Sequence, residues 1–130
     1  MLFIYNKKQS DELDIIVIST NHLDRFKKRK EFVQVPGRTG DLVIDDGSYD
    51  NLNLEITCII EDQSNISDKL KYIEKWLETN DYSLLEFSDG SKFNALFVEI
   101  KDMKKIIQNV VECKIIFSCR KEVNEWYLKF

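Results

Sequence analysis

Apolar and polar residues alternate through Leu52–Ile60 (LNLEITCII), placing Leu54, Ile56 and Cys58 on one face and Glu55, Thr57 and Ile59 on the other. A period of two marks a strand with one face against a core. Val110–Cys119 repeats the pattern, with Val111, Cys113, Ile115, Phe117 and Cys119 on one side. Val110 and Ile116 add apolar positions to its opposite side, which predicts a strand covered in part on both faces. Between these two strands the period changes. Ile66, Leu70, Ile73 and Leu77 recur at spacings of four, three and four, one stripe of a helix with about 3.6 residues per turn. Ser64 or Asn65 suits the start of that helix and Asn80 its stop. Trp76 lies beside the stripe and reads as a core anchor.

The remaining apolar runs are shorter. Leu2–Tyr5 and Leu13–Ile18 flank the polar stretch NKKQSDE, which reads as a hairpin. Glu31–Val35 forms a third strand ending at Pro36, and Leu42-Val43-Ile44 a brief edge strand. Tyr82–Phe87 and Lys92–Ile100 are joined by the compact turn Ser88-Asp89-Gly90-Ser91. Asp102–Lys105 serves as the turn into Val110–Cys119. Strands, one helix, then strands again predict an α+β fold of mainly antiparallel β-sheet with a single packed α-helix.

Length adds that one domain, residues 1–130, accommodates all of this. The net charge of −4 argues against a general nucleic-acid binder. That charge is uneven: from Pro36 to Asp62 one cation, Arg38, faces seven carboxylates, whereas Arg25–Lys30 (RFKKRK) is basic. Cys58, Cys113 and Cys119 sit in apolar, β-branched surroundings, as buried free thiols do, and an odd count is poor material for a disulfide framework. The N-terminus lacks the charge and apolar length of a signal peptide. No run approaches the roughly 18 apolar residues that span a bilayer. The expectation is a cytoplasmically made protein with no membrane partner.

Candidate chemistry is sparse. His22 is the sole histidine and cannot build a multi-histidine metal site. Gly37-Arg38-Thr39-Gly40 is followed by Asp41 rather than by the Lys-Ser/Thr of a phosphate loop. Setting Gly47 as the sixth residue of a calcium loop puts Leu42 and Ile44 at ligand positions, so that pattern fails too. A looser divalent site from Asp41, Asp45, Asp46 and Asp50 stays open. No catalytic residue, metal or cofactor is expected.

One ordered set of motifs carries a resemblance. Val35-Pro36-Gly37-Arg38-Thr39-Gly40-Asp41-Leu42, an acidic turn, Tyr49-Asp50-Asn51 and a long strand ending Ile59-Ile60-Glu61-Asp62 resemble the N-terminal domain of phage distal tail proteins. FIYNKKQSDELDIIVIS is similar to that family's opening hairpin, ISDKLKYIEKWLET to its lone helix, and IIFSC to its closing strand. The resemblance implies a β-sandwich or barrel of the tail-tube type. It also implies a structural role: six copies in a ring at the distal end of a tail, joining the tail tube protein to the tail-tip hub protein. A tape-measure protein is a further partner, and DNA passes through the channel only transiently. Many members continue into a second, sugar-binding-like domain, to which the resemblance does not extend.

On this view the subunit interface comprises Pro36, Gly37, Arg38, Gly40, Asp41, Leu42, Val43, Ile44 and Tyr49, with Arg38 free to pair with a neighbour or a local aspartate. Leu42–Ile44 and Trp126–Phe130 are the expected open edges. The acidic Pro36–Asp62 region is expected nearer the channel than the basic Arg25–Lys30 run. The alternative is a carbohydrate- or surface-binding module using exposed aromatics, with Tyr82, Phe93, Trp126 and Tyr127 as its candidates.

Overall fold

The computed structural model describes residues 1–121. It contains strands β1 (Phe3–Tyr5), β2 (Lys8–Gln9), β3 (Ile15–Thr20), β4 (Glu31–Gln34), β5 (Asp41–Ile44), β6 (Leu52–Glu61), β7 (Ser83–Phe87), β8 (Lys92–Ile107) and β9 (Val110–Arg120). A short 3-10 helix (Ser10–Leu13) precedes β3, and helix α1 (Ile66–Leu77) lies between β6 and β7. Seven strands form one sheet in the order β2-β1-β7-β8-β9-β6-β3, while β4 and β5 pair only with each other. Every pairing is antiparallel. The α+β class read from the periodicities is the class observed.

β6 and β9 lie side by side over ten residue pairs, from Leu52↔Cys119 to Glu61↔Val110. Their inward residues, Leu54, Ile56, Cys58 and Ile60 against Val111, Cys113, Ile115, Phe117 and Cys119, are all buried. Ile116 is also buried, on the opposite face, as its apolar neighbours in the sequence imply. Phe3, Tyr5, Leu85, Phe87 and Ala95 extend the same core across β1, β7 and β8. β8 carries a register irregularity between Phe97 and Glu99, and such bulges bend and twist a strand.

Helix α1 closes the core. Asn65 caps it, its side-chain oxygen accepting from the Asp68 N–H at 3.3 Å. Ile73, Trp76 and Leu77 are buried, whereas Ile66 and Leu70 are only partly covered. The Trp76 ring stacks on Phe3, with centroids 6.0 Å apart, and its Nε1–H donates to the Tyr5 carbonyl at 2.8 Å. An indole buried with its N–H satisfied is a strong anchor. The Tyr5 hydroxyl donates to the Ala95 carbonyl at 3.1 Å, so β1 is tied to both the helix and β8.

Three local expectations are corrected. The first two strands do not form a hairpin: β1 and β3 stand near opposite ends of the sheet. Asn6 and Lys7 take φ of 47° and 69° and turn the chain straight back into β2, as a two-residue hairpin turn requires. The 3-10 helix then redirects it, with Asp14 at φ 57°. Second, Asp102–Lys105 is no turn. Asp102 takes φ 55° inside β8, where the register slips between Lys101 and Lys104, and the reversal comes at Gln108-Asn109, with Asn109 at φ 62°. Asparagine tolerates this left-handed region better than most residues. Third, α1 ends at Leu77 with Glu78 already extended, before Asn80.

The uneven burial of the helix stripe gives a graded prediction. Leu77→Ala removes a fully buried side chain and is expected to cost about 2–5 kcal/mol. Leu70→Ala, at a partly covered position, should cost clearly less. Urea unfolding of both variants checks the order, and equal losses would contradict the placement of the helix.

Candidate assembly surface

Between Thr20 at the end of β3 and Leu52 at the start of β6 the chain makes a long excursion from the sheet. Its base is pinned by Asn21. The Asn21 side-chain oxygen accepts from the Glu55 N–H at 2.8 Å, and its Nδ2 donates to the Asn53 carbonyl at 2.9 Å. Further out the two limbs of the excursion run side by side: Arg29 N–H donates to the Ser48 carbonyl at 2.9 Å and Asp50 N–H to the Lys27 carbonyl at 2.8 Å, with a bridge between Lys28 and Tyr49. The excursion is therefore an arm that continues from the β3–β6 ladder.

β4 and β5 form its outer part, with Phe32 opposite Val43 and Val33 opposite Leu42. Phe32 is 64% exposed, and Leu42, Val43 and Ile44 are exposed with it. Opposed residues share a face and neighbouring residues alternate, so apolar side chains stand on both faces of this hairpin. A two-stranded hairpin alone is marginally stable in water. Its connecting turn, Pro36 to Gly40, is held by the Arg38 N–H donating to the Val35 carbonyl at 3.2 Å, with Gly37 and Gly40 at φ 79° and 81°. Only glycine adopts that region at little cost.

The proposed interface residues thus fall in two places. Pro36, Gly37, Arg38, Gly40, Asp41, Leu42, Val43 and Ile44 gather in the outer hairpin. Tyr49 sits between the base and the hairpin, opposite Lys28, where the Lys121 ammonium lies 4.9 Å from its ring centre. No carboxylate among the described residues lies within ion-pair distance of the Arg38 guanidinium. Phe32, the most exposed apolar residue of the hairpin, was absent from the sequence-derived interface. A four-residue strand shows too little periodicity to reveal a second solvent-facing apolar position, and only the pairing with Val43 does so.

The basic and acidic runs meet rather than separate. Lys28 Nζ is 3.0 Å from Asp45, and Arg29 Nε donates to Asp50 at 2.8 Å. Asp45 and Asp46 also build the turn between them. Gly47 N–H donates to Asp45, and both the N–H and hydroxyl of Ser48 donate to Asp46. The Gly47 amide and then Lys28 hold the Asp45 carboxyl below its ordinary pKa, and the Ser48 hydroxyl and amide do the same for Asp46. With Asp50 on Arg29, these aspartates face separate partners. Among the described residues, no group of three or more His, Cys, Asp or Glu is placed to hold a metal ion.

His22 is more buried than a polar-loop position suggests. Its side chain is 9% exposed, its ring centre is 5.0 Å from that of Phe87, and Nε2 lies 2.7 Å from Asp89. It fastens the start of the arm to the β7–β8 turn. Of the aromatics considered for a binding module, Phe93 packs edge-on to Phe87 at 5.9 Å and the Arg120 guanidinium lies 4.6 Å from the Tyr82 ring centre. Both are engaged within the fold. Trp126 and Tyr127, and the expected Trp126–Phe130 edge, lie outside the described residues.

No family model matches the chain, and no curated protein matches it. A solved structure does. The crystal structure of the Dit protein of SPP1, presented as a paradigm of the hub adsorption apparatus in phages infecting Gram-positive bacteria, aligns with a TM-score of 0.76 at 13% identity. The alignment covers 91% of this chain and 49% of that one, so the chain spans about half the length of this neighbour. At such identity the likeness is one of fold.

The Asp45-Asp46 turn carries a pH prediction. Carboxyls held below their ordinary value contribute stability that is present above the unfolded pKa and is lost as pH falls through the folded one. The Gly47 and Ser48 amide resonances should therefore titrate with a midpoint below about 3.9, the usual Asp value. A midpoint at or above it, read from NMR spectra across an acid titration, contradicts these hydrogen bonds.

Proposed function

We propose that this chain is a structural component of a phage tail: a subunit of a homo-hexameric ring at the distal end, joining the tail tube protein to the tail-tip hub protein. The observation that carries the reading is the fold likeness to a distal tail and hub protein over nearly all of the described chain. The arm supports it independently. A marginal two-stranded hairpin with apolar side chains on both faces gains stability when a neighbouring subunit covers it. Two different surfaces used head to tail must close into a ring or grow as a filament, and a tail tip requires closure.

In this role the chain performs no catalysis and holds no cofactor. The tape-measure protein is a further partner, and DNA only passes through the central channel. Assembly takes place in the host cytoplasm and the product resides in the virion tail. Among the described residues no helix is long and apolar enough to cross a membrane, and the proposal needs none.

Electron microscopy and light scattering test the reading, using the purified chain alone and mixed with the tube and hub proteins of the same phage. Rings of six subunits are expected in at least one mixture. The double variant Phe32→Asp, Val43→Asp should abolish them while leaving the Tm of the free subunit within about 2 °C, because exposed positions contribute little to monomer stability. Monomers in every mixture would refute the ring.

A further inference from the structure

Two cysteines that play no part in the assembly role meet in the middle of the sheet. Cys58 on β6 and Cys113 on β9 are register partners, and their sulfurs are 3.8 Å apart. Both are buried. The third cysteine, Cys119, is opposed by Leu52 on one side and Ala95 on the other. We infer that Cys58 and Cys113 form a latent disulfide, a cross-strand bond that closes when the chain folds in the presence of a low-molecular-weight disulfide.

The backbone already suits the bond. Directly opposed residues of an antiparallel pair have Cα atoms about 4.5–5.5 Å apart, within the roughly 4.4–6.8 Å that disulfides span. The two sulfurs face each other, so side-chain torsion, rather than displacement of the strands, brings them to bonding distance. The thiolate is the nucleophile in exchange, and the balance of the reaction is the same whichever of the two cysteines attacks first.

With oxidised glutathione as the oxidant, and taking Cys113 first, the Cys113 thiolate attacks one of its sulfurs. The glutathione S–S bond breaks, and one glutathione leaves as a thiolate. That thiolate takes up the proton released by Cys58, whose sulfur then attacks the Cys113 sulfur and expels the second glutathione. In total, two protein thiols and one oxidised glutathione become one protein disulfide and two reduced glutathiones. Both sulfurs are buried in the closed ladder, so the exchange belongs to the folding or opened chain. The pair stays a dithiol in a reducing compartment and closes where small disulfides prevail. The bond joins residues 55 apart in sequence, enclosing α1 between β6 and β9, and the constraint on the unfolded chain is expected to raise stability. None of this depends on ring assembly.

The test is to refold the reduced chain in a buffer rich in oxidised glutathione, alkylate the remaining thiols and map the peptides by mass spectrometry. The expected product is dominated by a Cys58–Cys113 link with Cys119 alkylated, and its Tm lies several degrees above that of the reduced chain. Cys119→Ser should give the same link. Three alkylated thiols overturn the inference. So does a mixture in which Cys119 forms disulfides as often as its partners, or a linked product that melts below the reduced chain.

Discussion

The ladder between Leu52–Glu61 and Val110–Arg120 constrains everything else in this domain. Its ten pairs join two strands separated in sequence by the helix and by two further strands. Nine residues of one face, from Leu54 to Cys119, are removed from water together. A slip of one residue would turn that entire set to the solvent, so burial fixes the register. The ladder in turn offers its outer edges to Ile15–Thr20 on one side and Lys92–Ile107 on the other, and its buried face to the helix. Trp76 then binds the helix to the first strand through Phe3 and the Tyr5 carbonyl.

The same economy explains why the arm behaves as a separate element. His22 and Phe26 still pack against the core, but the residues beyond them leave the sheet, and the outer hairpin pairs only with itself. Its polar links are exposed ion pairs and turn hydrogen bonds, which contribute little stability each. Its apolar side chains have no covering layer among the described residues. A rigid body bearing an under-packed apolar arm is suited to assembly, in which the missing layer comes from another chain. That is the physical basis on which the ring is proposed.

The sequence revealed the elements whose periodicity runs long enough to be counted. The alternation in Leu52–Ile60 and Val110–Cys119 and the stripe from Ile66 to Leu77 all appear where expected. Pairing partners were less legible, because nothing local tells Phe3 and Tyr5 that they will lie beside Phe87 and Leu85. Asp102 resembled a turn residue, yet a bulge absorbed its left-handed backbone. The contact between Cys58 and Cys113 depends on register, which the count of cysteines does not contain. In the arm, the acidic and basic runs looked like separate charged regions until the Lys28–Tyr49 bridge brought them together. The apolar interface residues Leu42, Val43 and Ile44 were visible; their partner Phe32 needed the cross-strand geometry.

Site-resolved amide hydrogen exchange on the free subunit is the most direct test of a stable ladder carrying an independently opening arm. The account predicts that ladder amides between residues 52–61 and 110–120 exchange only through global unfolding, and that those of Glu31–Gln34 and Asp41–Ile44 exchange orders of magnitude faster. Equal protection in the two regions would contradict it, because the arm would then be part of the same cooperative core.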